Sequence, residues 1–238
     1  MRYVLLLLIV CSLVFSAGLW QHWSVWPWTL VPGAYDPFAP LDLDDQVTPI
    51  TRLKLKRLAL DQQACHATLA QARRKGEVDY RDVGSPTIGA CRLSHAIRLR
   101  ASSVSFNHSF LASCPMAVSW LMFERHQLQP LAQSLFGQPV AHVQHYGSFA
   151  CRNIYHRQHA RRSEHATADA LDVAAFRLAD GRRISVAHDW NDSGARGEFL
   201  HRLLKGACHS FGNALGPDYN AAHASHFHLG MRYFGWCR

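Results

Sequence analysis

Two short segments hold residue types that could do chemistry together. Ser163-Glu164-His165-Ala166-Thr167-Ala168-Asp169-Ala170-Leu171-Asp172 sets a histidine seven positions before an aspartate, and His223-Ala224-Ser225-His226-Phe227-His228 gathers three histidines. A catalytic zinc takes three His or carboxylate ligands and keeps a fourth position for water. His165, Asp172 and one histidine of the second segment would supply that set. Side chains on a strand repeat every two residues, so His226 and His228 would share a face, one on the metal and the other toward water or substrate, with His223 near enough to join them. The chemistry would be hydrolysis of an amide. Zinc lowers the pKa of its water to about 7, and a neighbouring neutral imidazole takes the proton and hands it to the leaving amine. In a chain with 16 histidines a lone H-x-H is more often an accident than a ligand pair, so only the two segments together count. Ser163 has no Ser-His-Asp spacing behind it and reads as a hydrogen-bonding neighbour of His165 rather than a nucleophile.

The elements that must position these residues read as α+β with a small antiparallel sheet and flanking helices. Residues 170–178, the turn Ala179-Asp180-Gly181 and residues 182–186 give the clearest hairpin signal. Residues 223–233 alternate as a strand would. Helical spacing runs from Thr51 to Gly76, again from Pro115 to Gly137 with Pro130 kinking or restarting the helix, and over residues 198–215, closed by Gly216-Pro217. The chain divides into a membrane anchor or signal peptide over residues 1–22, a Pro-rich linker over 23–50 and a folded body over 51–238.

Composition bounds the class. With 48% hydrophobic and 18% charged residues the chain buries a real core, which excludes wholesale disorder. Residues 3–20 carry no charge after Arg2, and Trp20, Trp23, Trp26 and Trp28 follow where an interfacial belt would sit. No small-x-small cleavage site follows, so the segment reads as an uncleaved single-pass anchor in the inner membrane, with the body in the periplasm. Setting Cys11 aside leaves Cys65, Cys91, Cys114, Cys151, Cys208 and Cys237 with no C-x-x-C pair, which suits disulfides better than a zinc knuckle. Proximity in sequence suggests Cys65–Cys91, Cys114–Cys151 and Cys208–Cys237. The net charge is 25 − 17 = +8. Export separates it from nucleic acid, and the basic residues do not cluster beyond Arg161-Arg162 and Arg73-Arg74-Lys75, so anionic wall polymers or lipid headgroups suit it better.

The chain closely resembles the bacterial extensin-like C-terminal domain family, from about residue 35 to the end. The resemblance rests on Tyr35-Asp36-Pro37-Phe38-Ala39-Pro40-Leu41, Gly147-Ser148-Phe149-Ala150-Cys151-Arg152-Asn153, Arg162-Ser163-Glu164-His165-Ala166 through Asp172, and Leu215-Gly216-Pro217-Asp218-Tyr219-Asn220 through His228. That family is similar in turn to a zinc peptidase superfamily of D-alanyl-D-alanine carboxypeptidases and dipeptidases, murein endopeptidases and the hedgehog signalling domain, whose signature is S-x-H-x-x-(G)-x-A-x-D followed by H-x-H or E-x-x-H. Ser163, His165, Ala170 and Asp172 fit the first part, with Ala168 near the usual glycine; His226 and His228 fit the second, and His223 adds the H-x-x-H-x-H of the murein endopeptidase branch.

The resemblance implies zinc held by His165, Asp172 and His228, with His226 and His223 as the catalytic pair. Beside a cell wall on the exported side, the obvious amides are those of peptidoglycan peptides, which end in free carboxylates; Arg152, in the stretch before the zinc motif, is the candidate to grip such a carboxylate, with Ser163 beside it. Relatives carry Asp where this chain has Ser225 and Gly230, and the superfamily's catalytic Glu three residues before the ligand His is Ser225 here. The base must then be His226 or His223, or Glu164 if the fold turns it inward. The competing class is a non-catalytic zinc-binding wall or protein interaction domain.

Overall fold

A computed structural model describes residues 7–14, 16, 31–232 and 237–238. Among these residues the centre is an eight-stranded sheet with strands numbered in chain order. Its path runs β1 (Asp79–Gly84), β4 (Ala96–Ala101), β5 (Ser105–Ser113), β6 (Val140–Gly147), β7 (Ala170–Leu178), β10 (Phe227–Gly230) and β9 (Asn213–Leu215), with β8 (Arg183–Ser185) also on β7. β2 (Thr87–Ile88) and β3 (Cys91–Arg92) form a separate hairpin. The α+β class is as expected, but the sheet is larger than the small one anticipated and is not wholly antiparallel, since β5 and β6 run parallel. The reason is the connection between them. The chain leaves β5 through α3 (Cys114–Phe123), a π-helical turn (Glu124–Leu128) and α4 (Gln129–Phe136), and a helical crossover of that length brings it back in the same direction. Pro130 follows the π-helical turn directly, and Gln129 donates its N–H to Glu124 O across that wider turn, so the helical run passes the proline, which lacks an N–H, without ending.

The helices expected between Thr51 and Gly76 are α1 (Pro49–Leu58) and α2 (Gln62–Arg74), and the 170–186 hairpin forms as β7 and β8. The helix expected over residues 198–215 is α6 (Ala195–Ala207), which follows the short α5 (Val186–Asp189) and stops eight residues early. Past it, Gly212 donates its N–H to Gly230 O (2.9 Å), and a Cβ at Gly212 would lie 2.6 Å from the backbone of Met231 and Arg232. That contact draws residues 213–215 into β9 instead. The strand expected from His223 begins only at Phe227, because Ala221–His223 form a 3-10 turn capped by Asn220.

One face of the sheet carries the core. All ten residues of α3 are buried, and Trp120, Phe123, Phe176, Phe199, Phe211 and Phe227 are almost wholly enclosed. Burying one such ring stabilises by about 1.5–3 kcal/mol, whereas an exposed ion pair such as Arg202–Glu198 contributes roughly 0–1 kcal/mol. The aromatic core therefore sets the geometry.

The linker expected over residues 23–50 is described from residue 31, and there it is docked. Buried Lys54 donates to Gly33 O (2.6 Å) and Pro40 O (3.2 Å), Thr48 Oγ1 donates to Ala34 O (2.7 Å), and Leu41 and Leu43 join the core. Residues 7–14 and 16 are helical and exposed, and no described helix is long and apolar enough to cross a membrane. Most of the expected anchor, with its Trp cluster, lies outside the described residues.

The disulfides are Cys65–Cys114, Cys91–Cys151 and Cys208–Cys237. Two of the three expected pairs are corrected. Sequence proximity fails because α2 packs on the start of α3, which brings Cys65 to 6.0 Å from Cys114 (Cα–Cα), and β3 meets the loop after β6, which brings Cys91 to 5.6 Å from Cys151. Cys11 is free. Peptide mapping of the non-reduced protein will recover these three crosslinks; a Cys65–Cys91 or Cys114–Cys151 peptide pair would contradict the packing of α2 on α3.

Candidate metal centre

β7 and β10 pair antiparallel with His228 directly opposite Asp172. Leu171 and Val173 on one strand, and Phe227 and Leu229 on the other, point into the core, so alternation turns Asp172 and His228 to the opposite face. His165 reaches the same point from the 3-10 turn Glu164–Thr167. Ser163 caps that turn by accepting the His165 N–H (3.4 Å), and Ala168 closes it at φ +57°. This left-handed position is where a glycine would be easiest, and it is what redirects the chain into β7 in time for Asp172.

His165, Asp172 and His228 each offer a ligand atom, and the three lie within 4.8 Å of one another. His165 Nε2 is 3.2 Å from Asp172 Oδ2, and His228 Nδ1 is 2.9 Å from Asp172 Oδ1. The hydrogen-bond chemistry tests whether a cation fits there. His165 Nδ1 lies 3.0 Å from Ser148 O, which can only accept, so the ring's proton sits on Nδ1. Its Nε2 then presents a bare lone pair to a carboxylate, and two acceptors face each other. A metal ion between them reconciles them. His228 feels the carboxylates on either side of it: burial alone would lower its pKa, but Asp172 and Glu164 raise it to about 9. Asp172 is itself held well below the usual carboxylate range by His165 and His228, against the upward push of burial. Two imidazoles and a carboxylate converging in this way are a donor set that suits zinc.

The other expected residues surround this trio on a cavity of about 500 Å³. His226 Nε2 is 3.6 Å from Asp172 Oδ1, its Nδ1 is buried without a hydrogen-bond partner, and Tyr146 stacks on its ring edge at 5.6 Å. His226 stands just before β10 rather than on it, yet it meets the same carboxylate as His228. His223 Nδ1 donates to Asn220 Oδ1 (2.8 Å), which leaves Nε2 as its acceptor. Burial, with His228 and His226 adding their charge, pushes the His223 pKa down to about 4; burial also lowers that of His226. Both rings are therefore neutral near pH 7. Arg152 lines the cavity half-buried, and Ser163 lines it while buried in its capping role. Glu164 is turned inward, against His228 Nε2 at 3.4 Å.

Some contributors carried no signal of their own. Asn213 lay within a segment of helical spacing, yet it lines the cavity from β9. Tyr155 lies in a loop without periodicity and accepts from Asn220 Nδ2 (3.0 Å) across the cavity mouth. Ser148 stands in one of the family-like stretches, but only the fold reveals that its carbonyl orients His165.

Fold and site together define a disulfide-stapled α+β domain with a His/Asp/His cluster of metal-binding geometry on the side of the sheet away from the core. The sequence model described as extensin-like protein C-terminus matches residues 63–238, and the chain belongs to that family. No curated protein and no solved structure matches it. Ser163→Ala removes only the cap of the His165 turn, and it will lower stability by about 0.5–2 kcal/mol while leaving the metal ligands intact. Thermal unfolding beside zinc titration checks this, and a loss of zinc with unchanged stability would make Ser163 part of the metal site.

Proposed function

We propose that this protein is a zinc-dependent hydrolase of peptide bonds in cell-wall peptides, acting on the exported side of the membrane. The observation that carries the reading is the convergence of His165, Asp172 and His228 beside a cavity whose remaining histidines are neutral. The superfamily resemblance points the same way, and three disulfides suit an oxidising compartment.

His165 Nε2, Asp172 and His228 Nδ1 would hold the ion. When bound, zinc supplies acidity to a water molecule and polarises a carbonyl. The chain's own residues do the rest. His226, on the cavity wall with Nε2 turned toward Asp172, accepts the proton and returns it to the leaving amine. His223, fixed by Asn220, presents Nε2 to the same space as hydrogen-bond acceptor and second base. Arg152 on the cavity wall suits the free carboxylate of a wall peptide, which a guanidinium can grip through two N–H groups. The excess positive charge suits anionic wall polymers at large.

One observation favours a second reading, a non-catalytic zinc-binding wall or protein interaction domain. Ser225 stands where the superfamily carries its catalytic Glu, and burial makes both remaining bases weak.

Metal analysis and digestion of purified muropeptides separate the two. The wild type will hold one zinc. His228→Ala and Asp172→Ala will lose it, by more than the 10–100-fold expected of residues that merely support a ligand. His226→Ala will keep zinc and lose on the order of 10²–10⁴ in rate. Metal retained in His228→Ala but lost in His226→Ala would reverse the roles, and a wild type that holds zinc and cleaves no wall peptide establishes the binding domain instead. Arg152→Ala will raise KM for peptides with a free C-terminal carboxylate and leave their amidated forms unaffected; equal effects on both would remove Arg152 from substrate recognition.

A further inference from the structure

His228 has a carboxylate on each side of its ring. Nδ1 is 2.9 Å from Asp172 Oδ1, and Nε2 is 3.4 Å from Glu164 Oε2. We propose that Glu164 is a positioning residue: it accepts a hydrogen bond from the Nε2–H of His228, which keeps the proton there, makes Nδ1 the ligand atom and fixes the ring, and Gly230 is a glycine because that carboxylate fills the space a side chain would need. The proposal rests on the metal reading above and deepens it.

The chemistry allows few alternatives. A neutral imidazole has one N–H and one lone pair. Asp172 already faces the bare Nε2 lone pair of His165, so a metal between them needs a second lone pair from the side of His228 that faces Asp172. The proton of His228 then belongs on Nε2, where Glu164 accepts it. A carboxylate behind a ligand histidine sets both the tautomer and the orientation of the ring.

Glu164 is held for this task and for no other. It is buried; its Oε1 accepts the Arg232 N–H (2.7 Å), and Asn213 Nδ2 donates to Oε1 and Oε2 at 3.2 and 3.1 Å. With both oxygens engaged on the side of His228 away from Asp172, it is not available as the general base. A Cβ at Gly230 would lie 2.6 Å from Glu164 Oε1, 2.8 Å from Oε2 and 2.7 Å from Asn213 Oδ1, all closer than real Cβ contacts. The φ of Gly230 is not in the left-handed region, so a side chain there would meet these carboxylate and amide ends and displace them, rather than strain the backbone.

The test compares the full chain with E164A, G230A and the double variant, reading zinc affinity by competition with a chromophoric chelator and the tautomer of His228 by long-range proton–nitrogen NMR. Metal-free thermal unfolding verifies that each variant is folded. The zinc-loaded wild type is expected to carry its His228 proton on Nε2. E164A should lose about 10–100-fold in zinc affinity. G230A, which keeps the carboxylate but displaces it, should lose a similar factor, and the double variant should bind about as well as E164A alone, because both changes remove one interaction. Wild type and E164A with equal affinity, a His228 proton on Nδ1 in the zinc-loaded protein, or losses that simply add in the double variant would each overturn the role of Glu164. A wild type that binds no zinc would overturn the metal reading itself and this inference with it.

Discussion

The carboxylate of Asp172 is the hinge of the arrangement. One oxygen faces His165 and the other faces His228, with His226 beside it. Those contacts exist only because β7 and β10 pair in one register. A slip of β10 by one residue against β7 would turn His228 toward the aromatic core and bring Phe227 and Leu229 to the other face. Burying an ionisable group while exposing two large apolar side chains is unfavourable on both counts, so the core that stabilises the sheet also specifies the site.

The cavity is built in two parts of different character. The side that would hold a metal stands on β7, β10 and the short turn Glu164–Thr167. The side that would meet a substrate is made of two loops, one after β6 and one before β10, joined by the Tyr155–Asn220 hydrogen bond. The first loop is stapled to β3 by Cys91–Cys151 and folds back through the Asn153–Arg162 bridge. At its tip Tyr155 and His156 adopt positive φ, and the Asn153 side chain supports the turn by donating to Arg157 O and Gln158 O. A ligand platform on paired strands beside loops that face the substrate is the usual division between chemistry and selectivity.

Parts of this were legible in the residues. His165, Asp172 and His228 stand in segments whose spacing already suggested a shared ion, and the hairpin of β7 and β8 was readable from its turn. Much of the sheet was not. β5 exposes its first residues and buries its last four, so no period of two runs through it, and the parallel pairing of β5 with β6 depends on where a helical crossover lands. Residues 198–215 carry helical spacing to the end, yet the last three become a strand under contact with Gly230 and the C-terminal segment. The disulfide partners follow the packing of α2 on α3, which separation along the chain does not encode.

The sequence by itself determined the class: an α+β body with a real core, six cysteines suited to disulfides and two chemically matched segments, all of which depend on residue type and near-neighbour spacing. Only the tertiary structure decided which atoms meet. That His165 offers Nε2 follows from the carbonyl of Ser148 behind its other nitrogen, and Glu164 is held against His228 by the Asn213 side chain and the Arg232 N–H. Such facts belong to groups far apart in the chain, and they arise from close packing, which no local pattern of residues can express.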